Sequence, residues 1–202
     1  MADNGYVTVS ALKARLSITD QDDDTRLGAI IAGVSRWIDR YTGRRFYTTD
    51  SDETRYYTPY SYCNCSVDDL VSVTSIAIDT SGARTYDTTL ADTDYDLLPD
   101  NAALEGWPWN EIRITPYGRY SFYPSYTRSV KVVGKFGFLS TSIVLAQVAE
   151  ACFIQCARIW KRGDAPFGLA GAGPMGQVAA ISDLDPDVKA MLAPPIKRTR
   201  FK

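Results

Sequence analysis

The chain of 202 residues is 45% hydrophobic and 23% charged, enough for one substantial core with an insertion, and it excludes an intrinsically disordered protein. It holds no histidine, which removes the commonest general base, the usual partner of a catalytic nucleophile and the commonest metal ligand. A formal net charge of -2 excludes the whole-molecule basic footprint of a nucleic-acid-binding domain.

Helix signals come first along the chain. Ser10 stands where its hydroxyl would cap a first helix running through Leu12 and Leu16. Asp22 is the predicted N-cap of a second, with Asp23 and Asp24 in the first turn, where carboxylates meet the positive end of the helix dipole. Leu27, Ile30, Ile31, Val34, Trp37, Ile38 and Tyr41 then recur at spacings of three and four, one stripe of an amphipathic helix that Gly43 ends. Arg44 and Arg45 follow, placed to favour the negative end of that helix or to bind phosphate or an acidic partner.

Beyond Gly43 the pattern changes to short alternating runs of aromatic and β-branched residues, as in antiparallel strands. Strands are predicted at 46–47, 54–58, 71–79, 85–86, 95–98, 111–115 and 129–136, with Ser81-Gly82 as a hairpin turn. Residues 99–108 and 116–126 mix Pro, Gly and polar side chains without a period and read as loops.

A helix returns over 142–162, a stretch without Gly or Pro. Leu145, Val148, Cys152, Cys156 and Ile159 form its stripe, and Ile143, Val144, Phe153, Ile154 and Trp160 widen it. A helix this apolar belongs at the centre of a domain or under a neighbouring subunit. Gly163 stops it, and the Gly-, Pro- and Ala-rich stretch that follows predicts a flexible arm. Asp185-Pro186-Asp187 opens a short helix through Leu192, with Pro where its missing amide costs nothing, and Pro194-Pro195 ends it. The last six residues are basic. The expected organisation is therefore N-terminal helices over 1–47, a β-rich insertion over 48–138, a long core helix over 139–162, a Gly-rich arm over 163–184, and a short helix with a basic tail over 185–202.

Chemical motifs are weak. Gly171-x-Gly173-x-x-Gly176 matches a dinucleotide fingerprint, but it follows a helix, contains Pro174 and opens no helix, so it reads as linker. Asp20, Asp22 and Asp24, and again Asp92, Asp94 and Asp96, alternate like calcium ligands without the glycine and glutamate that such loops need. Cys63 and Cys65 with Cys152 and Cys156 lack the spacing of a zinc site, and the helical pair reads as small buried hydrophobes. Asp94 with Asp96 is the best carboxylate pair for acid/base work, and nothing places it in a cleft. No catalytic, metal or cofactor site is predicted. With no secretory leader and no apolar run read as long enough to cross a bilayer, the expectation is a soluble cytosolic protein with no membrane partner.

Val9-Ser-Ala-Leu-Lys-Ala-Arg-Leu-Ser-Ile18, Asp22-Asp-Asp24, the stripe to Trp37-Ile38 and Tyr41-Thr-Gly-Arg-Arg-Phe46 together resemble the head-tail connector (adaptor, or head-completion) family of tailed phages. Val132-Val-Gly-Lys-Phe-Gly-Phe138 before the long helix, Ala165-Pro-Phe-Gly168 and Asp185-Pro-Asp187 extend the likeness. The resemblance implies an α+β chain: a helical connector core, built from the N-terminal helix pair and the long C-terminal helix, with an inserted antiparallel β-rich region. It implies a structural, non-enzymatic protein of the virion neck, made in the host cytoplasm, forming a ring of about twelve subunits beneath the portal protein. That ring would extend the channel, touch the double-stranded genome passively and meet a stopper or tail-terminator protein below. Portal docking falls on Pro195, Ile196, Lys197, Arg198, Arg200, Phe201 and Lys202, with Phe201 as apolar anchor. Leu145, Val148, Phe153, Ile159 and Trp160 become the candidates for subunit contacts. A second reading is a tail or baseplate module that recognises carbohydrate through the tyrosines of 117–126 with Trp107 and Trp109.

Overall fold

Thr8, not Ser10, caps the first helix, α1 (Val9–Leu16), because its hydroxyl reaches the amide of Ala11 at 3.2 Å. A computed structural model describes residues 4–116, 118–163, 183–194 and 196. The chain divides into two units, Met1–Arg44 with Ile143–Lys202, and Arg45–Ser142. Among the described residues it has four helices and six strands, an α+β architecture as the sequence predicts.

The first unit is helical. Helix α2 (Asp24–Thr42) begins one residue later than the sequence suggests: Asp22 turns its amide to Asp20, and Asp23 takes the cap position without a side-chain bond. Asp24 instead pairs with Lys13 at 2.6 Å, tying α2 to α1. Gly43 ends α2 at φ 69°, a left-handed conformation that glycine adopts without steric cost, and its amide bonds to Asp39 O. Leu27, Ile31, Val34 and Ile38 bury one stripe of α2, while the buried hydroxyls of Ser35 and Thr42 bond back to the carbonyls four residues before them.

Helix α3 (Ile143–Gly163) turns Val144, Val148, Ala151, Cys152, Gln155 and Cys156 inward. This corrects the expectation about apolar runs, since Ile143–Arg162 is long and apolar enough by length and composition to cross a bilayer. One face of it is buried in the helical unit, and Glu150 and Arg158 pair with Arg15 and Asp185 there. Helix α4 (Pro186–Met191) carries Asp185 as N-cap, accepting from Asp187 N at 2.9 Å, and buries Val188 against the same core.

The second unit is an antiparallel sheet of six strands in the order β1 (Glu53–Tyr57), β6 (Val130–Phe136), β2 (Asn64–Ile78), β5 (Trp109–Ile114), β4 (Tyr95–Leu98), with β3 (Thr88–Leu90) on β2. Strand β2 runs longer than predicted because Cys65 and Val67 face inward while Ser66 faces out, an alternation that Asp68 and Asp69 disguise. Its first half pairs with β5 and its second with β3, while β6 lies along the other edge with two register shifts. Two predicted strands are absent. Phe46 is buried on Phe138, ring centroids 5.0 Å apart, outside any strand, and Arg84 and Tyr86 take positive φ and cannot continue an extended chain.

Candidate functional site

The predicted subunit-contact residues of α3 prove to have different surroundings. Val148 is 0% exposed within its own unit, so it belongs to the core and is withdrawn as a contact residue. Leu145, Phe153, Ile159 and Trp160 are half-buried. Two arginines account for part of that cover. Arg15 lies 5.2 Å from the Phe153 ring centre and forks onto both oxygens of Glu150 at 2.5 Å, and Arg26 lies 4.5 Å from the Trp160 ring. The hydrogen bonds from Arg15 hold the Glu150 carboxyl below its ordinary range. The most exposed apolar side chain on the helix is Ile143, at 77%, which begins it.

The C-terminal end of the helical unit is anchored by one carboxylate. Asp185 is buried, pairs with Arg158, caps α4 through its own side chain and donates its amide to Gln155 Oε1 at 3.2 Å. Lys189 pairs with Asp183 at 2.5 Å, and Gln147 Nε2 donates to Met191 O at 2.8 Å. Of the predicted docking tail, Ile196 is described and is 3% exposed, buried as Leu184, Val188 and Leu192 also are. It therefore roots the tail and does not present itself to a partner. Pro195, Lys197, Arg198, Arg200, Phe201 and Lys202 lie outside the described residues, as does the arm over 164–182 with its glycine motif.

In the sheet unit a charge network crosses the β1 edge. Arg45 reaches Glu53 at 2.7 Å, Arg55 reaches the other oxygen of Glu53 at 2.6 Å and Asp68 at 2.8 Å, and Tyr57 donates to Asp68 at 3.2 Å. The Arg55 guanidinium also lies 4.1 Å from the Phe136 ring centre. Burial alone would raise the Glu53 carboxyl, but the hydrogen bonds and charges of Arg55 and Arg45 outweigh it and hold the carboxyl below its ordinary value. A folded-state value below the unfolded one gives stability that is present above the ordinary carboxylate range and lost as pH falls through the lowered value. Solvent screening limits the contribution to about 0.5–1 kcal/mol. Urea unfolding at pH 7 and pH 3.5 should therefore show a smaller pH dependence for Glu53→Gln than for the natural chain, and an identical dependence would remove this role.

Other predicted ligands are occupied in turns. Asp94 accepts from Ala91 N at 2.8 Å and Asp92 from the Tyr95 hydroxyl at 3.1 Å. Cys65 is buried, which pushes its thiol up to about 12, and Cys152 and Cys156 touch, Sγ to Sγ 3.8 Å, on the inner face of α3. No group of three or more metal-ligating side chains converges among the described residues.

The aromatic platform expected for carbohydrate is used inside the sheet unit. Trp107 packs edge-on against Phe138 at 6.0 Å, and Trp109 and Tyr120 pack on the sheet core. Tyr123 and Tyr126 stack on each other at 5.8 Å, and Tyr117 lies outside the described residues. A cluster the sequence did not reveal is Tyr56, Tyr86, Arg128 and Lys131, which the pairing of β1 with β6 brings together by setting Tyr56 opposite Lys131. Its members are up to 75 residues apart, the distance from Tyr56 to Lys131, so no local pattern betrays it.

The helical unit is discontinuous in sequence, with the antiparallel sheet unit inserted between its two segments. Residues 6–74 match the family model of the Phage gp6-like head-tail connector proteins, which bears out the resemblance read from the helix pair. That family is structural and not enzymatic. No curated protein matches the chain. Among solved structures, the fold is similar to a chain from the neck of an empty GTA particle computed with C6 symmetry, at 15% identity and TM-score 0.52. It is also similar to a chain from the virion of a native gene transfer agent particle, at 15% identity and TM-score 0.54. Both likenesses cover 93% of this chain and 87% of the other.

Proposed function

We propose that this protein is a structural head-tail connector of a phage-like particle, forming a ring beneath the portal that extends the DNA channel and joins head to tail. The observation that carries the reading is the connector-family match over residues 6–74, the segment that holds α1 and α2. The fold likeness to a neck chain along 93% of the length supports it, and extends the comparison through the inserted sheet unit. A sixfold axis in that particle's reconstruction is compatible with a closed ring of six or twelve copies. A closed ring uses heterologous contacts, in which one face of a subunit meets a different face of the next. Ile143, Leu145, Phe153, Ile159 and Trp160 are the residues of α3 assigned to that contact in this reading. Assembly would take place in the host cytoplasm, with a stopper or tail-terminator protein meeting the ring below.

The docking segment is Pro195 through Lys202, rooted by the buried Ile196 and ending in Phe201 between basic residues suited to acidic groups of a portal. Purified portals mixed with the full chain should bind it and give a ring visible by electron microscopy. A chain ending at Pro194 should lose docking by at least a factor of about 100, the usual scale of removing a clustered anchor. Undiminished docking of the shortened chain would remove the tail from this role, and absence of docking by the full chain would remove the connector reading.

A further inference from the structure

We propose that the Tyr56–Tyr86 face of the sheet unit is a contact site for the phosphodiester backbone of duplex DNA. Tyr56 and Tyr86 lie with ring centroids 5.3 Å apart, Arg128 over the first at 4.7 Å and Lys131 over the second at 5.6 Å. Arg84 acts electrostatically on the same Tyr86 hydroxyl as Arg128 does, so three cations share this face. None of the three makes an ion pair among the described residues, whereas Arg45, Arg55, Arg15 and Arg158 all do. Asp79, 1% exposed, accepts within its loop from the amides of Ser81, Gly82 and Arg84 and from the hydroxyl of Ser81. It stabilises the loop, and its charge acts on the Tyr86 hydroxyl together with those of Arg128 and Arg84, leaving a net positive balance among these groups.

The backbone is held at this place with unusual care. Arg84, Tyr86 and Arg128 have φ of 61°, 49° and 59°, and they are three of the four non-glycine residues with positive φ among those described. Such conformations persist where surrounding bonds impose them, and they gather at functional positions. Here the bonds are visible: Arg84 N to Asp79 at 2.6 Å, the Tyr86 hydroxyl to Arg128 O at 2.7 Å, and Arg128 N to Thr58 Oγ1 at 2.8 Å. The result is a fixed backbone at Arg84 and Arg128, with the Arg128 and Lys131 side chains lying over the two rings. Because Arg128 and Lys131 already cover the rings, the faces are closed to stacked sugars or bases, and the surface fits an anion instead. A phosphate backbone supplies anions in a row and demands no sequence recognition. The choice of duplex DNA over an acidic protein rests on the neck reading above.

Three cations make a weak contact, one that lets a genome slide. Anisotropy of a labelled 30-base-pair duplex, titrated with the full chain over a range of low salt concentrations, should show binding whose logarithm falls with log salt at a slope near -2.7, about 0.9 per phosphate contacted. Arg84→Gln, Arg128→Gln and Lys131→Gln together should weaken binding at least tenfold and flatten the slope by about 2.7. The charge-reversed set, R84E with R128E and K131E, should weaken it further with an unchanged circular dichroism spectrum. An unaltered affinity and slope in the glutamine set would overturn the proposal and place any DNA binding on the basic tail. So would equal competition by a glutamate-rich peptide matched to the duplex in charge concentration, which would assign the face to an acidic protein. No portal or ring enters this measurement, so its failure is distinct from a failure of docking.

Discussion

Asp185→Ala is expected to lower the stability of the helical unit by about 2–4 kcal/mol and to release α4 together with everything that follows it. The side chain is 1% exposed and serves two groups at once, the Arg158 guanidinium and the first-turn amide of α4. Losing the cap alone costs about 1 kcal/mol. Losing the ion pair adds the cost of stranding a partly covered guanidinium, reduced because Arg158 remains 45% exposed and can turn to water. Asp185→Asn separates the two terms, since its carbonyl still caps while its charge is gone, and it should recover roughly the capping contribution. Amide hydrogen exchange over α4 is the sharpest readout: the alanine variant should lose protection at Leu192, whose amide bonds to Val188 O, before α2 is affected. Equal protection in both proteins would mean that apolar packing of Val188, Leu192 and Ile196 holds the segment without help. The functional consequence follows from position, because α4 is the platform from which the proposed docking tail departs.

Gly134→Ala is expected to be worse, costing at least about 3 kcal/mol and removing most soluble protein. Gly134 lies on β6 between β1 and the irregular part of β2, opposite Glu53 on one side and Val73 on the other. A Cβ placed there would sit 2.1 Å from Ser72 O and 3.2 Å from Val73 Cα, both backbone atoms of the neighbouring strand that no rotamer change can move. Gly137 repeats the problem with 2.1 Å to Tyr47 O and adds φ 130°, a conformation for glycine. Gly33 provides the control: it lies within α2 with nothing inside 4 Å of its would-be Cβ, so Gly33→Ala should stabilise by about 0.5–1 kcal/mol. Urea denaturation of the three single variants checks the ordering. A Gly134→Ala protein as stable as the natural one would show that β6 can shift away from β2 at little cost.

Gly134 and Gly137 both lie in the segment Val132-Val-Gly-Lys-Phe-Gly-Phe138, beyond the residues 6–74 that match the connector family. Both are demanded by close approach of two backbones, a constraint a sequence records as an identity without stating its cause. Helix α2 was legible for a different reason: its period, its acidic first turn and Gly43 agree, so local propensity and tertiary packing select the same residues. The cap of α1 was misassigned because Thr8 and Ser10 are both competent hydroxyls, and only helix geometry chooses the one three residues before an unpaired amide. On α3 Val148, Cys152 and Cys156 face the core as the stripe predicts, and the rest of the buried face differs. Val144, Ala151 and Gln155 face the core where Leu145 and Ile159 were expected, because a nearly uniformly apolar helix carries little phase information.

What the sequence by itself determined is the class: an α+β chain with two helical ends, a β-rich middle, no histidine and a connector-like helix pair. Periodicity, turn residues and composition act over a few neighbours, and those suffice to choose helix or strand. Only the tertiary structure decided which polar groups are free to act. It spent Asp24, Asp79, Asp94, Asp185 and Glu53 on internal bonds, buried Val148 and Ile196, and left Arg84, Arg128 and Lys131 without a carboxylate partner among the described residues. The reason is register. Bringing residue 56 beside residue 131 depends on two strands pairing in one alignment out of many, and that choice is made by the packing of the sheet as a whole.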